Sequence, residues 1–212
     1  MTDRYHRLIE QVLDDPGTVL LLGSMDSGKT TFARALLAGA VDRGIPAAYL
    51  DTDVGRTTVG PPTTIGLKHV LEAKHLEADE LALADGLYFV GWVTAQFHLL
   101  PLVAGTAKLM DVARRAGAEL VVVDTSSLIS GVYGQILKYH KMEVTRPEYV
   151  IGFERGEELD QLRHRPQYRR AQGGHRHPQG SDHPHHRDRL RARPPHDRPP
   201  PAPGAARTCL RS

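Results

Sequence analysis

Val19-Leu20-Leu21-Leu22-Gly23-Ser24-Met25-Asp26-Ser27-Gly28-Lys29-Thr30-Thr31-Phe32-Ala33-Arg34 is the stretch whose reading decides the fold. Gly23, Gly28, Lys29 and Thr30 fit G-x-x-x-x-G-K-S/T, the phosphate-binding loop that joins a buried strand to a helix. Glycines let the backbone turn until several N–H groups face one anion, and the following helix adds the positive end of its dipole. Ser24, Asp26, Ser27 and Thr31 complete the loop and its exit. Lys29 is expected to reach the β- and γ-phosphates of a nucleotide, and the Thr30 hydroxyl to ligate Mg²⁺.

The flanks supply the context that the loop requires. Thr18 to Leu22 is a short apolar run, and Phe32, Leu36, Leu37 and Ala40 recur at helical spacing until Gly44. Upstream, Leu8, Ile9, Val12 and Leu13 share one face of an expected helix that stops at Pro16-Gly17, giving a packing segment over residues 1–17.

Downstream, Ala47 to Leu50 is a second strand ending in Asp51-Thr52-Asp53-Val54-Gly55-Arg56. Ligands of open α/β sheets bind beyond the carboxyl ends of the strands, which puts Asp51 and Asp53 beside the phosphate loop. A carboxylate there either accepts the proton of an attacking hydroxyl or joins the magnesium shell; the alternative is a plain strand-end turn. Gly60 to Gly66 reads as a shaped loop, and Leu67 to Asp85 as one or two short helical pieces. Leu87 to Trp92 reads as a third strand. Trp92, the sole tryptophan, is either a base-stacking platform or a core plug. A helix is expected from Leu102 to Gly117. After it, Leu120-Val121-Val122-Val123-Asp124 has the pattern of a central parallel strand delivering a carboxylate, so Asp124 is the second magnesium candidate beside Thr30. A helix over Gly131 to Val144, a strand over Glu148 to Phe153 and the start of a helix at Glu157 to Leu162 follow. Strands alternating with helices indicate an α/β fold with a doubly wound, mostly parallel sheet of the P-loop NTPase type, spanning residues 18–162.

Composition changes at Arg163. From there to Ser212 the chain holds 12 arginines, three aspartates and nine prolines, with no lysine or glutamate, whereas the preceding residues hold 15 basic and 22 acidic side chains. Such a segment buries too little apolar surface to offset ordering entropy, and a disordered tail is expected. Its arginines suit a nucleic-acid arm, its histidines a metal, and its sudden onset an out-of-frame coding sequence; the three readings stay open. Cys209 alone excludes an internal disulfide framework. No apolar run is long enough for a membrane span, so no membrane partner and a cytoplasmic location are expected.

Three blocks in order, Gly23 to Thr31, Asp51 to Arg56 and Val122-Val123-Asp124-Thr125-Ser126, resemble the P-loop domain of the polynucleotide 5'-hydroxyl kinase family. That family includes the RNA kinase subunit of the pre-mRNA cleavage machinery and ribosomal-RNA-processing kinases. The resemblance implies ATP or another NTP on Gly28, Lys29, Thr30 and Thr31, with Mg²⁺. It implies Asp53, or secondarily Asp51, as general base at the 5'-hydroxyl of RNA or DNA, with Lys29 catalytic. It also implies that Thr64-Ile65-Gly66 matches a T-x-G clasp holding the phosphate loop. Arg56 stands where the family has glutamine, and Arg165, Arg169 and Arg170 do not align with the family's lid arginines. Protein partners are not implied. The other classes that fit a phosphate loop are an ATPase-like or GTPase-like switch and an inactive fragment of such a kinase. The chain has no asparagine, and hence no Asn-Lys-x-Asp guanine motif.

Overall fold

A computed structural model describes residues 3–127, 131–154 and 210–211. Helix α1 (Asp3–Asp14) leads into strand β1 (Thr18–Gly23), the phosphate loop and helix α2 (Lys29–Asp42). Then come β2 (Ala47–Thr52), β3 (Thr64–Val70), a single 3₁₀ turn at Ala73–Leu76, short helix α3 (Ala78–Ala82) and β4 (Gly86–Phe89). Helix α4 (Leu99–Arg115), β5 (Leu120–Thr125), α5 (Gly131–Thr145) and β6 (Tyr149–Glu154) complete the body, and Leu210–Arg211 forms a two-residue strand, β7.

The sheet order is β4-β3-β2-β5-β1-β6-β7. Strands β2, β5, β1, β6 and β7 run parallel, whereas β3 pairs antiparallel with both β2 and β4. Alternate side chains of the central strands feed two cores. Val19, Leu21, Tyr49 and Val122 pack under α1 and α2 with Val12, Phe32 and Leu36, while Leu20, Leu22, Leu50 and Val123 pack under α4 and α5 with Leu102, Met110 and Leu137. Helices therefore cover both faces, as a doubly wound sheet requires. The expected packing helix at the amino terminus is α1. Its Tyr5 ring lies 6.0 Å from both Phe32 and Phe153, tying it to α2 and β6.

Three expectations are corrected. Thr64 to Gly66 is not a loop and Leu67 to Val70 is not helical, because both belong to β3, which is buried between two antiparallel partners. Leu67, Val70 and Leu71 imitate a helical period, but hydrogen bonding to β2 and β4 prevails; the helical pieces begin only at Ala73. Strand β4 ends at Phe89, which leaves Trp92 in the loop beyond it, 55% exposed rather than plugging the core. The expected helix at Glu157 to Leu162, and the tail apart from Leu210–Arg211, lie outside the described residues; those two residues pair with Phe153 and Glu154 in β6. Among the described residues no helix is long and apolar enough to cross a membrane.

Candidate functional site

The loop after β1 is shaped by its glycines. A Cβ on Gly23 would lie 2.6 Å from Ser27 Oγ and 2.7 Å from the Phe153 carbonyl oxygen, so only glycine lets the strand end pass beneath the loop. Gly28 caps α2 at φ 98°, a left-handed conformation natural to glycine. Lys29 opens the helix. It is nearly buried, and its Nζ donates to the carbonyls of Gly23 at 2.9 Å and Ser24 at 2.7 Å, so the ammonium lies folded over its own loop. Burial lowers its pKa, against the opposing pull of Asp124, Asp53 and Asp26.

Strands β2 and β5 bring their acidic ends together in register, Asp51 beside Asp124 and Thr52 beside Thr125. Asp124 is buried. Its Oδ2 accepts from Thr30 Oγ1 at 2.7 Å and from the Tyr49 hydroxyl at 2.9 Å, while its Oδ1 is buried with no hydrogen-bond partner among the described residues. Burial raises the Asp124 pKa, opposed by those two hydrogen bonds and by Lys29.

Asp51 is also buried, but its oxygens are committed to backbone. Oδ1 accepts from the Asp53 amide at 3.0 Å, and Oδ2 from the amides of Thr58 and, at 3.2 Å, Val59. Burial and then the Asp124 charge raise its pKa to about 7, against the pull of these amides. Asp51 thus organises the turn that follows it. Asp53 sits in that turn, its Oδ1 accepting from the amides of Gly55 at 3.2 Å and Arg56 at 3.3 Å. Arg56 Nη1 reaches Asp26 Oδ1 at 3.3 Å and links the turn to the phosphate loop.

These groups surround one cleft of about 340 Å³, lined by Asp26 to Thr31, Asp51, Asp53, Arg56, Asp124 and Thr125 among others. Gly23 and Ser24 lie behind it as acceptors for Lys29. Thr64 and Gly66 do not line it. Thr64 Oγ1 donates to the Pro61 carbonyl at 2.6 Å, and a Cβ on Gly66 would lie 2.1 Å from the Val59 carbonyl oxygen, so glycine there lets β3 meet the loop that Asp51 holds.

Sequence reasoning missed three side chains behind the cleft. Tyr49 is fully buried and holds Asp124. Lys138 Nζ donates to Thr125 Oγ1 at 2.8 Å and the Ser126 carbonyl at 2.5 Å; Lys141 Nζ donates to Thr52 Oγ1 at 2.6 Å. Both lysines are fully buried. Burial depresses both pKa values, that of Lys138 well below the ordinary range and that of Lys141 to about 8. Their spacing carried a signal, because Lys138 and Lys141 fall on the same face of α5 as Gly134, Leu137, Met142 and Thr145.

Comparison with known proteins agrees with this architecture. The family model of the mRNA cleavage and polyadenylation factor CLP1 P-loop matches residues 23–189, past the compositional break at 163. A polyribonucleotide 5'-hydroxyl-kinase of Pyrococcus horikoshii is 34% identical over 147 residues, covering 69% of this chain and 40% of the relative. The polyribonucleotide 5'-hydroxyl-kinase Clp1 of Rattus norvegicus is 28% identical over 140 residues, covering 63% of this chain and 33% of the relative. The chain therefore spans about 40% or less of these relatives. Among solved structures, a chain of the wild-type Clp1p-Pcf11p complex superposes with a TM-score of 0.59 at 16% identity, over 76% of this chain and 44% of that one, a likeness of fold.

Proposed function

The chain belongs to the mRNA cleavage and polyadenylation factor CLP1 P-loop family, and from that premise we propose that it transfers the γ-phosphate of ATP, or another NTP, to the 5'-hydroxyl of RNA or DNA. The observation that carries this reading is the convergence on one cleft of the phosphate loop, the Thr30–Asp124 pair and Asp53.

In this reading the amides from Ser27 to Thr31 and the Lys29 ammonium take the phosphate chain, Lys29 exchanging its loop carbonyls for phosphate oxygens. Thr30 and Asp124 fit Mg²⁺. The ion favours hard oxygen donors, and the buried Oδ1 of Asp124 has no other partner among the described residues. When bound, the ion supplies neutralisation of charge on the β- and γ-phosphates. Asp53 takes the proton of the attacking 5'-hydroxyl. The 5'-oxygen forms a bond to the γ-phosphorus, the bond to the β–γ bridging oxygen breaks, and ADP leaves with that electron pair. Asp51 shapes the turn that presents Asp53, since its own oxygens are occupied.

Incubation with γ-labelled ATP, Mg²⁺ and 5'-hydroxyl oligonucleotides tests the reading. Label on the oligonucleotide that disappears in Lys29→Ala is the expected result. Free phosphate alone assigns the chain to the nucleotide-hydrolysing switches, and neither product leaves a nucleotide-binding fragment.

A further inference from the structure

The loop joining β4 to α4 carries aromatic side chains that the phosphate cleft does not use. Gly91 turns the chain at φ 86°, and the amides of Val90 and Gly91 both donate to the Thr63 carbonyl, fixing the loop's entry. The loop then runs against the turn bearing Asp53: a Cβ on Gly55 would lie only 2.6 Å from the Val93 carbonyl oxygen. Trp92, next to that contact, stacks on His98 with ring centroids 5.6 Å apart and planes within 9°. More than half of Trp92 nevertheless stays exposed. Phe97, 72% exposed and held at a left-handed φ of 67°, meets Tyr133 on the first turn of α5 edge to face at 5.0 Å.

Burial explains neither pair. Large exposed aromatic rings grouped on a loop that packs against the turn bearing Asp53 mark a recognition surface. On the kinase reading, parallel ring planes on the loop that meets the Asp53 turn fit an occupant that is flat, aromatic and joined to the acceptor hydroxyl through a sugar.

We propose that the Trp92–His98 stack, flanked by Phe97 and Tyr133, is a platform for an unpaired nucleobase at the 5' end of the acceptor strand. This rests on the kinase reading for the position of the 5'-hydroxyl. Stacking accepts any base, because every base has a π-face, so the platform selects strandedness rather than sequence. A base inside a duplex is already stacked, so a single-stranded or frayed 5' end binds better than a blunt one.

Trp92 is the chain's sole tryptophan, so its emission reports the platform directly. The full chain is titrated with 3'-dye-labelled, single-stranded 5'-hydroxyl oligonucleotides, reading dye anisotropy for binding and tryptophan emission for stacking. The expected result is quenching that follows the anisotropy curve and is lost when the 5'-terminal nucleotide is abasic. Trp92→Ala weakens binding roughly 10-fold or more, and Trp92→Phe restores most of it. Thermal unfolding of both variants at the parent temperature shows that folding is intact. Binding with unchanged emission, or full-strength binding by Trp92→Ala, overturns the platform and leaves the kinase reading standing. Quenching without label transfer supports the platform and overturns the kinase reading. Failure of any oligonucleotide to bind overturns both.

Discussion

Replacing Lys141 with methionine tests how the buried cations behind the cleft affect folding. The side chain is fully buried against Thr52, and its pKa is depressed to about 8, first by burial and in opposition to the attraction of Asp53, Asp51 and Asp124. Below pH 8 the folded and unfolded chains both hold the proton, and the fold bears the whole cost of a buried charge. Between about 8 and 10.5 the unfolded chain binds more protons than the folded one, so stability rises with pH. A depression of this size corresponds to roughly 3 kcal/mol across the window. Methionine conserves the stem but leaves Thr52 Oγ1 without its Nζ donor, which costs about 1 kcal/mol. Lys29, depressed in the same direction, remains in both proteins and cancels; Lys138 is depressed partly by the Lys141 charge, so removing that charge eases its depression and adds to the difference in the same direction. Urea unfolding, followed by circular dichroism from pH 7 to pH 10, measures the difference. The parent gains stability over Lys141→Met by roughly 2–3 kcal/mol as pH rises. A difference that stays flat with pH refutes the reasoning, because it means that Lys141 keeps an ordinary pKa in the fold.

Three further substitutions probe the site. Thr30→Val keeps side-chain shape but removes the hydroxyl that Asp124 accepts from; Mg²⁺-dependent tightening of nucleotide binding, read by calorimetry, is expected to disappear. Tyr49→Phe removes one hydrogen bond to a buried carboxylate, and urea denaturation should show a loss of about 1.5–3 kcal/mol. Gly66→Ala places a methyl group 2.1 Å from the Val59 carbonyl oxygen, and a loss of about 1–3 kcal/mol or more is expected from overpacking; a parent-like unfolding midpoint would mean that β3 and the 53–59 turn are not closely apposed.

The parts of the fold legible in the sequence are those whose signals are local. The apolar run of β1, the two glycines and Lys29–Thr30 define the loop within a dozen residues, and the apolar run before Asp124 marks the central strand that brings this carboxylate to Thr30. Strand β3 was hidden because its identity comes from pairing with β2 and β4, while Leu67 and Val70 happen to sit one helical turn apart. The burial of Lys138 and Lys141 was hidden for a related reason. A lysine ordinarily marks a solvated face, and what stabilises these two is acceptors at strand ends, Thr125 and the Ser126 carbonyl for Lys138 and the more distant Thr52 for Lys141. Asp51 and Asp53 looked equivalent two residues apart; the amides of Asp53, Thr58 and Val59 separate them by occupying Asp51.

The central claim, transfer to a 5'-hydroxyl with Asp53 as the base, is tested most directly by comparing parent and Asp53→Asn with two acceptors. One oligonucleotide carries a 5'-hydroxyl and its twin a 5'-phosphate, and label from γ-labelled ATP is followed onto each strand. The parent labels the hydroxyl strand alone, and Asp53→Asn binds nucleotide as the parent does while losing about 100-fold or more of the transfer rate. Equal labelling by parent and Asp53→Asn would contradict the account, as would γ-phosphate release that ignores the acceptor.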